Sequence, residues 1–422
     1  MTLTFRKPSQ RNVLLWMLIL FPFLFGTLNS LLGAPWAVRY LADIAWGMLL
    51  LLMLRYHRSL NLQPVQYLLI WVLLFLSFTA LVYPAQYQSA LYYLWGFRNQ
   101  FRFYVAFFAF ATMLTQNSAE HFLKRMDQLF WLNASVTLIQ FLMGLKGDLL
   151  GGIFGAEKGV NSYTNLFLLI ILTKSILCYL GKQENLGLCI AKYAVASAIA
   201  AMAELKFFFF EIGFVLLLAF LLTGFTRRKL ALILVSALAF TAGIWLMCRL
   251  FPSLQGWFSL KNMLESALDN AGYTSSGDLN RLGGIRVINE TWLTRWPQRI
   301  FGLGLGNCDT AAFPLVSTPF YQANAASHYT WMSYTMVYLE TGYVGLVFYF
   351  GFFLGCFASA AKAARRPGAN PLFCRMAQIM ALCCVLIGIY NSSLRGESGY
   401  MAYFILALPY AAGGKYDTLT DH

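Results

Sequence analysis

The chain has 422 residues, of which 59% are hydrophobic and only 11% are charged. Because soluble globular proteins carry about 25% charged residues, this composition excludes an ordinary soluble enzyme and places much of the apolar surface in lipid. The formal net charge is +14, but the short cytoplasmic loops of membrane proteins are rich in Lys and Arg. The charge therefore does not indicate nucleic-acid binding.

Apolar stretches close to the length of a membrane-crossing helix recur along the whole chain. We place twelve of them, near residues 13–33, 36–54, 66–83, 99–115, 127–145, 163–180, 187–203, 207–224, 229–250, 332–360, 374–391 and 398–413. The tenth is too long for one span, so we expect it to break near Thr341 and Gly342. Arg39 and Asp43, one turn apart in the second stretch, are predicted to pair away from lipid. The predicted fold class is an all-α polytopic membrane protein with about 12 transmembrane helices.

Basic residues set the predicted orientation, because cytoplasmic loops carry an excess of Lys and Arg. Such residues occupy the amino terminus and alternate short connections: Arg6, Lys7, Arg11, Arg55, Arg58, Lys124, Arg125, Lys182, Arg227, Arg228, Lys229, Lys362, Arg365, Arg366 and Arg375. Both termini are then cytoplasmic, and one large loop is extracytoplasmic. The predicted segments are spans 1–9 in residues 1–250, the loop in 251–331, spans 10–12 in 332–413 and a cytoplasmic tail in 414–422.

The extracytoplasmic loop is the only long polar segment of the chain. It carries four arginines, which are Arg281, Arg286, Arg295 and Arg299. An arginine guanidinium is always charged and binds phosphate oxygens two at a time, so the loop suits a phosphate or pyrophosphate group. The alternative is that these arginines pair with local carboxylates such as Glu290 and Asp278.

The outer connections carry more charge than membrane orientation requires. These charges include Arg98, Arg102, Lys206, Arg395, Glu204, Glu211 and Glu397. Glu204 and Lys206 lie at a break between two apolar stretches, where a charge at membrane depth indicates function by default. A plain extracytoplasmic turn is the alternative interpretation.

His328 is the only histidine in the predicted loop. Histidine changes its charge close to neutral pH, which suits a general base. An ordinary residue at the start of a helix is the alternative. A loop carboxylate would have to orient the ring, and Asp309 is one candidate.

A glycine-rich turn at Gly302, Gly304 and Gly306 resembles half of a dinucleotide fingerprint. No βαβ unit surrounds it, so we expect a tight turn that brings the backbone close to a partner. The sequence also has no Asp-x-Asp pair, no P-loop and no His/Cys cluster. We therefore expect neither a metal nor a cofactor.

Several short motifs carry a resemblance to a known family. They are Gly-Asp-Leu-Asn-Arg-Leu at 277–282, Phe-Gly-Leu-Gly-Leu-Gly-Asn at 301–307, Glu-Thr-Gly-Tyr-Val-Gly-Leu at 340–346 and Trp-Gly-Phe-Arg at 95–98. In this order, with the layout of spans and loop, the chain resembles the bacterial polysaccharide polymerase and O-antigen ligase superfamily. These are membrane glycosyltransferases of the GT-C type.

The resemblance implies a reaction on the outer face of the bacterial plasma membrane. Such enzymes take a glycan from an undecaprenyl-pyrophosphate donor and pass it to a hydroxyl of a glycan acceptor, with inversion and without a metal. A flippase and a chain-length regulator are further candidate partners.

The resemblance also implies roles for individual residues. Arg281 and Arg286 would bind the pyrophosphate, with Lys206, Arg98 and Arg102 as further contacts. Lys206 follows Glu204 where the ligases have a Thr-Arg pair. His328 would be the base, with Asp278, Glu204 or Glu290 as alternatives.

Three functions remain open at this point. A polymerase of capsule, exopolysaccharide or O-antigen repeats would make a ladder of products. A ligase would make one transfer per chain, to lipid A core, teichoic acid or protein. A transporter of lipid-linked oligosaccharide would do no chemistry, and such proteins often contain internal repeats, which this chain lacks.

Overall fold

The computed structural model describes residues 10–86, 89–224, 227–252, 277–310 and 316–411, and these are all-helical apart from turns and loops. The helices are α1 (Gln10–Leu32), α2 (Leu41–Arg55), α3 (Gln66–Val82), α4 (Ala90–Met113), α5 (Gln116–Leu142), α6 (Asn161–Leu180), α7 (Leu186–Met202), α8 (Phe208–Leu222), α9 (Arg227–Leu250), α10 (Gly284–Thr291), α11 (Trp296–Phe301), α12 (Pro319–Asn324), α13 (Ser333–Ala363), α14 (Pro371–Tyr390) and α15 (Gly399–Ala407). The predicted tail and two parts of the predicted loop, 253–276 and 311–315, lie outside the described residues.

A helix lies at each of the twelve positions where the sequence predicts a membrane span. By length and composition, six helices of the described chain could cross a membrane, namely α1, α3, α6, α9, α13 and α14. Three shorter helices, α7, α8 and α15, are also apolar. The structure is therefore consistent with a helical protein embedded in a membrane.

Burial separates central helices from peripheral ones. In α6, 83% of the most apolar window is buried, against 28% in α3 and 22% in α9. α15 is buried along its whole length and packs against α4 and α14. The centre of the bundle therefore lies around α4, α6, α14 and α15, while α3 and α9 expose apolar side chains that lipid would cover.

Local sequence signals account for several helix ends. Side-chain oxygens of Ser89, Thr115 and Asn370 accept hydrogen bonds from first-turn amides of α4, α5 and α14, as N-cap residues do. Pro371 occupies the first turn of α14, where its missing N–H costs nothing. The predicted break in the tenth stretch is confirmed, because Gly342 has a φ of 64° inside α13, a conformation that favours glycine.

The glycine-rich turn is held between two helices. A Cβ atom on Gly302 would lie 2.3 Å from the carbonyl carbon of Glu340, and one on Gly306 would lie 1.9 Å from the carbonyl oxygen of Tyr92. Two amides of the turn donate to carbonyl groups beside the break in α13, at 2.8 and 3.0 Å. Residues 302–306 thus pass between α4 and α13, and only glycine fits at these contacts.

Candidate functional site

A cavity of about 540 Å³ lies at the end of the bundle where α4 and α6 begin. Its lining residues are Arg39, Tyr40, Trp95, Arg98, Asn99, Arg102, Tyr163, Asp309, Thr310, Thr330, Met336, Ser392, Arg395 and Gly396. Four of these are arginines, and they come from three segments: the turn before α2, the first half of α4, and the connection between α14 and α15. We call these four residues the arginine cluster.

Two members of the arginine cluster lie on one face of α4. Arg98 and Arg102 are four residues apart, so their side chains are neighbours on the helix surface. Arg98 binds the carboxylate of Asp43 through Nε and Nη2, with a shortest distance of 2.7 Å. Its guanidinium also lies 5.3 Å from the ring centroid of Tyr40 and 5.0 Å from that of Trp95. These contacts fix the guanidinium in one place.

Glu397 binds Arg39 and Arg102 from behind the cavity. Its carboxylate lies 3.1 Å from Arg39 and 3.5 Å from Arg102, and it accepts a hydrogen bond from the Tyr163 hydroxyl at 2.9 Å. Burial alone would raise the pKa of Glu397, but the positive charges of the neighbouring arginines outweigh it and lower that pKa to about 2. Glu397 is therefore a fixed negative charge at any physiological pH.

Arg395, from the connection between α14 and α15, completes the arginine cluster. Its Nη2 atom lies 3.2 Å from Asp309 and 3.7 Å from Glu340. Burial opposes the charge of Arg395, yet these two carboxylates raise its pKa above the ordinary value. Asn99 donates to the same Asp309 oxygen at 2.6 Å. Asp309 reaches this position because the glycine-rich turn, which ends at Gly306, packs against α4.

The residues that line the cavity carry mostly positive charge, whereas most of the residues that bind them from outside the lining carry negative charge. Among the described residues, Asp309 is the one carboxylate in the lining, whereas Asp43, Glu340 and Glu397 bind the arginines without lining the cavity. The Nε atom of Arg102 is buried and has no hydrogen-bond partner in the described chain. A surface with four guanidinium groups, each held by a carboxylate, suits an anion with several oxygens.

His328 and Asp278 form a second pair of functional groups, and His328 lies two residues before a residue that lines the cavity. His328 Nδ1 is 2.5 Å from the Oδ1 atom of Asp278, and the ring stacks on Trp331 with centroids 4.0 Å apart. Among the residues that the structure describes, none hydrogen-bonds to Nε2 of His328. Thr330, two residues further on, lines the cavity. Asp309, the expected partner of the ring, instead binds Arg395, so that expectation was wrong.

The loop arginines singled out by the sequence lie outside the cavity lining. The Nε atom of Arg281 donates to the Tyr390 carbonyl at 3.0 Å, and its guanidinium lies 4.4 Å from the Tyr390 ring centroid. Arg286 pairs with Glu290 at 3.0 Å on an exposed surface of α10. The local pairing that we considered for loop arginines therefore occurs at Arg286.

The charged break between α7 and α8 also lies apart from the cavity lining. Glu204 and Lys206 form an ion pair of 3.0 Å. Glu204 has a φ of 57°, and the two helices end and begin at Met202 and Phe208. Glu204 and Glu211 therefore do not share one continuous helix.

Sequence reasoning recognised Arg98, Arg102 and Arg395 as unexplained charges but did not assemble them. It missed the roles of Tyr163 and Glu397. The available signal was that Arg39 and Asp43 lie in an apolar stretch at helical spacing. The prediction that Arg39 and Asp43 pair with each other was wrong, because the structure pairs Arg39 with Glu397 and Asp43 with Arg98. Both residues bind partners from distant segments.

No metal site among the described residues and no known relative assigns a further role to this site. Across the described ranges, no group of three or more His, Cys, Asp or Glu side chains could hold a metal ion. All eight cysteines have free thiols. Neither the protein-family models nor the curated proteins include a match to this chain.

Proposed function

We propose that this protein is a membrane glycosyltransferase that polymerises oligosaccharide repeat units from undecaprenyl-pyrophosphate donors. In this proposal the arginine cluster binds the donor pyrophosphate and His328 accepts the proton of the acceptor hydroxyl. The protein would lie in the bacterial plasma membrane with twelve spans, cytoplasmic termini and an extracytoplasmic large loop. Its product would be a capsule, exopolysaccharide or O-antigen chain.

The arginine-lined cavity is the observation that carries the proposal. A pyrophosphate leaving group gains negative charge as its bond to the sugar breaks, and fixed cations stabilise that charge most when they are already oriented. Arg98 is held by Asp43, Arg39 and Arg102 by Glu397, and Arg395 by Asp309. Such preorganisation needs no rearrangement of the arginines at the moment of reaction.

The positions of Arg281, Arg286 and Lys206 decide whether each has a role in donor binding. Arg281 contacts Tyr390, which precedes the lining residue Ser392 by two positions, so it is a candidate contact at the rim of the cavity. Arg286 is paired and exposed, and the proposal gives it no role. Lys206, paired with Glu204, is likewise not needed for donor binding.

The proposed reaction balances without a metal. The acceptor oxygen forms a bond to the anomeric carbon of the donor glycan, the bond from that carbon to the pyrophosphate oxygen breaks, and the acceptor proton passes to Nε2 of His328. Undecaprenyl pyrophosphate leaves, and the arginine cluster stabilises its negative charge. Attack opposite to the leaving group inverts the anomeric centre.

Transfer by purified protein tests the proposal. Wild-type protein is incubated in detergent with an undecaprenyl-pyrophosphate-linked oligosaccharide, and the products are separated by size. We expect a ladder of repeats, and His328→Ala should lower the rate by about 10²–10⁴-fold, the usual share of a general base.

Two outcomes separate the alternatives, and a matched variant controls the assay. His57→Ala, which changes an exposed histidine near the end of α2, should keep the wild-type rate. A single transfer to a separate acceptor would identify a ligase. Movement of the donor across liposome membranes without any transfer would indicate a transporter and refute the proposal.

A further inference from the structure

We propose that Asp278 is a positioning residue that holds the His328 ring with its Nε2 atom free of a proton. This inference rests on the proposed function, in which His328 takes the acceptor proton. It goes beyond the base assignment, because a histidine can act as a base without a carboxylate partner. It also gives Asp278 a role different from that of an alternative base.

The hydrogen bond itself selects the form of the ring. An ionised carboxylate can only accept hydrogen bonds, so the 2.5 Å contact between Asp278 Oδ1 and His328 Nδ1 requires the proton to be on Nδ1. In a neutral ring the other nitrogen, Nε2, then carries a lone pair. This is the form in which a histidine can remove a proton from a hydroxyl.

The backbone around the contact keeps the two side chains together. The Leu279 amide donates to the Ser327 carbonyl at 2.9 Å, so the immediate neighbours of Asp278 and His328 are bonded to each other. His328 has a φ of 52°, which is uncommon for a residue with a Cβ atom. Trp331 stacks on the ring at 4.0 Å. An uncommon conformation held by surrounding contacts is frequent at functional sites.

The same carboxylate would act again during the reaction. When Nε2 takes the acceptor proton, the ring becomes positively charged, and a carboxylate at Nδ1 favours the charged form. Asp278 would therefore orient the ring before transfer and stabilise it afterwards, without touching the substrate. The rival explanation is that the contact only closes the loop onto the bundle, in which case its loss would lower stability and leave the ring chemistry unchanged.

The first measurement is kinetic. Asp278→Asn keeps the shape of the side chain but can either accept from or donate to Nδ1, so it no longer selects one tautomer. We expect kcat to fall by about 10²-fold with KM changed little, and Asp278→Glu to restore part of the loss. Adding Asp278→Asn to His328→Ala should cause no further loss, because the two residues act as a unit.

The second measurement does not depend on activity. The chain has four histidines, so the ¹⁵N spectrum of histidine-labelled protein in detergent is simple, and His328→Ala identifies the signal of His328. We expect the wild-type ring to carry its proton on Nδ1. In Asp278→Asn and Asp278→Ala the population with the proton on Nε2 should rise.

The control variant changes a carboxylate that does not bind His328. Glu120→Gln, which changes an exposed carboxylate near the start of α5, should alter neither kcat nor the tautomer. Unchanged His328 signals in Asp278→Ala would overturn the positioning role, and so would an unchanged kcat in Asp278→Asn. Absence of transfer by the wild-type protein would refute the proposed function instead, while the spectrum would still show whether Asp278 sets the tautomer.

Discussion

Two clusters of paired charges lie at different depths of this bundle. The arginine cluster lies where α6 begins, beside Tyr163. The second, which we call the lysine cluster, consists of Lys174, Asp127, Lys192 and Glu184. Lys192 binds Asp127 at 3.1 Å and Glu184 at 3.0 Å, and Lys174 binds Asp127 and the Leu123 carbonyl. Lys174 is eleven residues beyond Tyr163 on α6, about 16 Å along the helix.

The two clusters differ in what surrounds their cations. The lysine cluster ties α5, α6 and α7 together, and its ammonium groups are surrounded by carboxylates and a carbonyl oxygen. The arginine cluster turns its guanidinium groups into a cavity and keeps most of its carboxylates behind them. The first arrangement links three helices, whereas the second leaves guanidinium groups lining a cavity, which is why we propose that it binds an anion.

The largest expected effect concerns the lysine cluster. Lys192→Met removes a buried cation from between Asp127 and Glu184, and breaking a buried ion pair costs about 4 kcal/mol. We expect this loss in the free energy of unfolding, measured by denaturation in detergent. Turnover per folded molecule should stay at the wild-type value. A loss of turnover in the folded fraction would show that the lysine cluster also serves function.

A smaller loss of stability is expected when the pH is lowered enough to protonate Glu397, which binds two members of the arginine cluster. The lowered pKa of Glu397 means that its ionised form stabilises the folded state above the ordinary value of 4.5, and this contribution is lost as the pH falls from 4.5 through about 2. The drop corresponds to about 3 kcal/mol. Melting temperatures of the wild type should fall over this range. Glu397→Gln, which cannot ionise, should show a flatter profile, and a parallel fall would contradict the account.

The smallest effect is expected at an arginine outside both clusters. Arg286→Ala breaks an exposed pair with Glu290, and such pairs contribute about 0.5 kcal/mol or less. Stability and transfer rate should both remain close to wild type. A large loss of transfer would indicate instead that the loop arginines bind the donor, as the sequence motif suggested.

Local patterns predicted the helices better than the site. Twelve apolar stretches each coincide with a helix, because an apolar run of sufficient length leaves the backbone few alternatives in lipid. The break at Gly342 was also predicted, since one continuous helix of that length exceeds a bilayer. These features depend on residues close together in the chain.

The partners within the site could not be read from the sequence. Arg39 and Glu397 are 358 positions apart, and they meet because the connection before α15 lies against α4 and the turn before α2. The choice of Asp309 as the partner of His328 failed for the same reason. Asp278, 50 positions before His328, takes that place because the backbone bond of its neighbour Leu279 aligns the two segments.

Binding of undecaprenyl pyrophosphate tests the central claim most directly. Quenching of tryptophan fluorescence can report it, because Trp95 lines the cavity beside Arg98. Hydrogen bonds to charged groups contribute about 1.5–3 kcal/mol, so Arg98→Ala should raise Kd by about 10–100-fold, whereas Arg286→Ala should leave it unchanged. Unaltered affinity in Arg98→Ala together with lost affinity in Arg286→Ala would contradict the account.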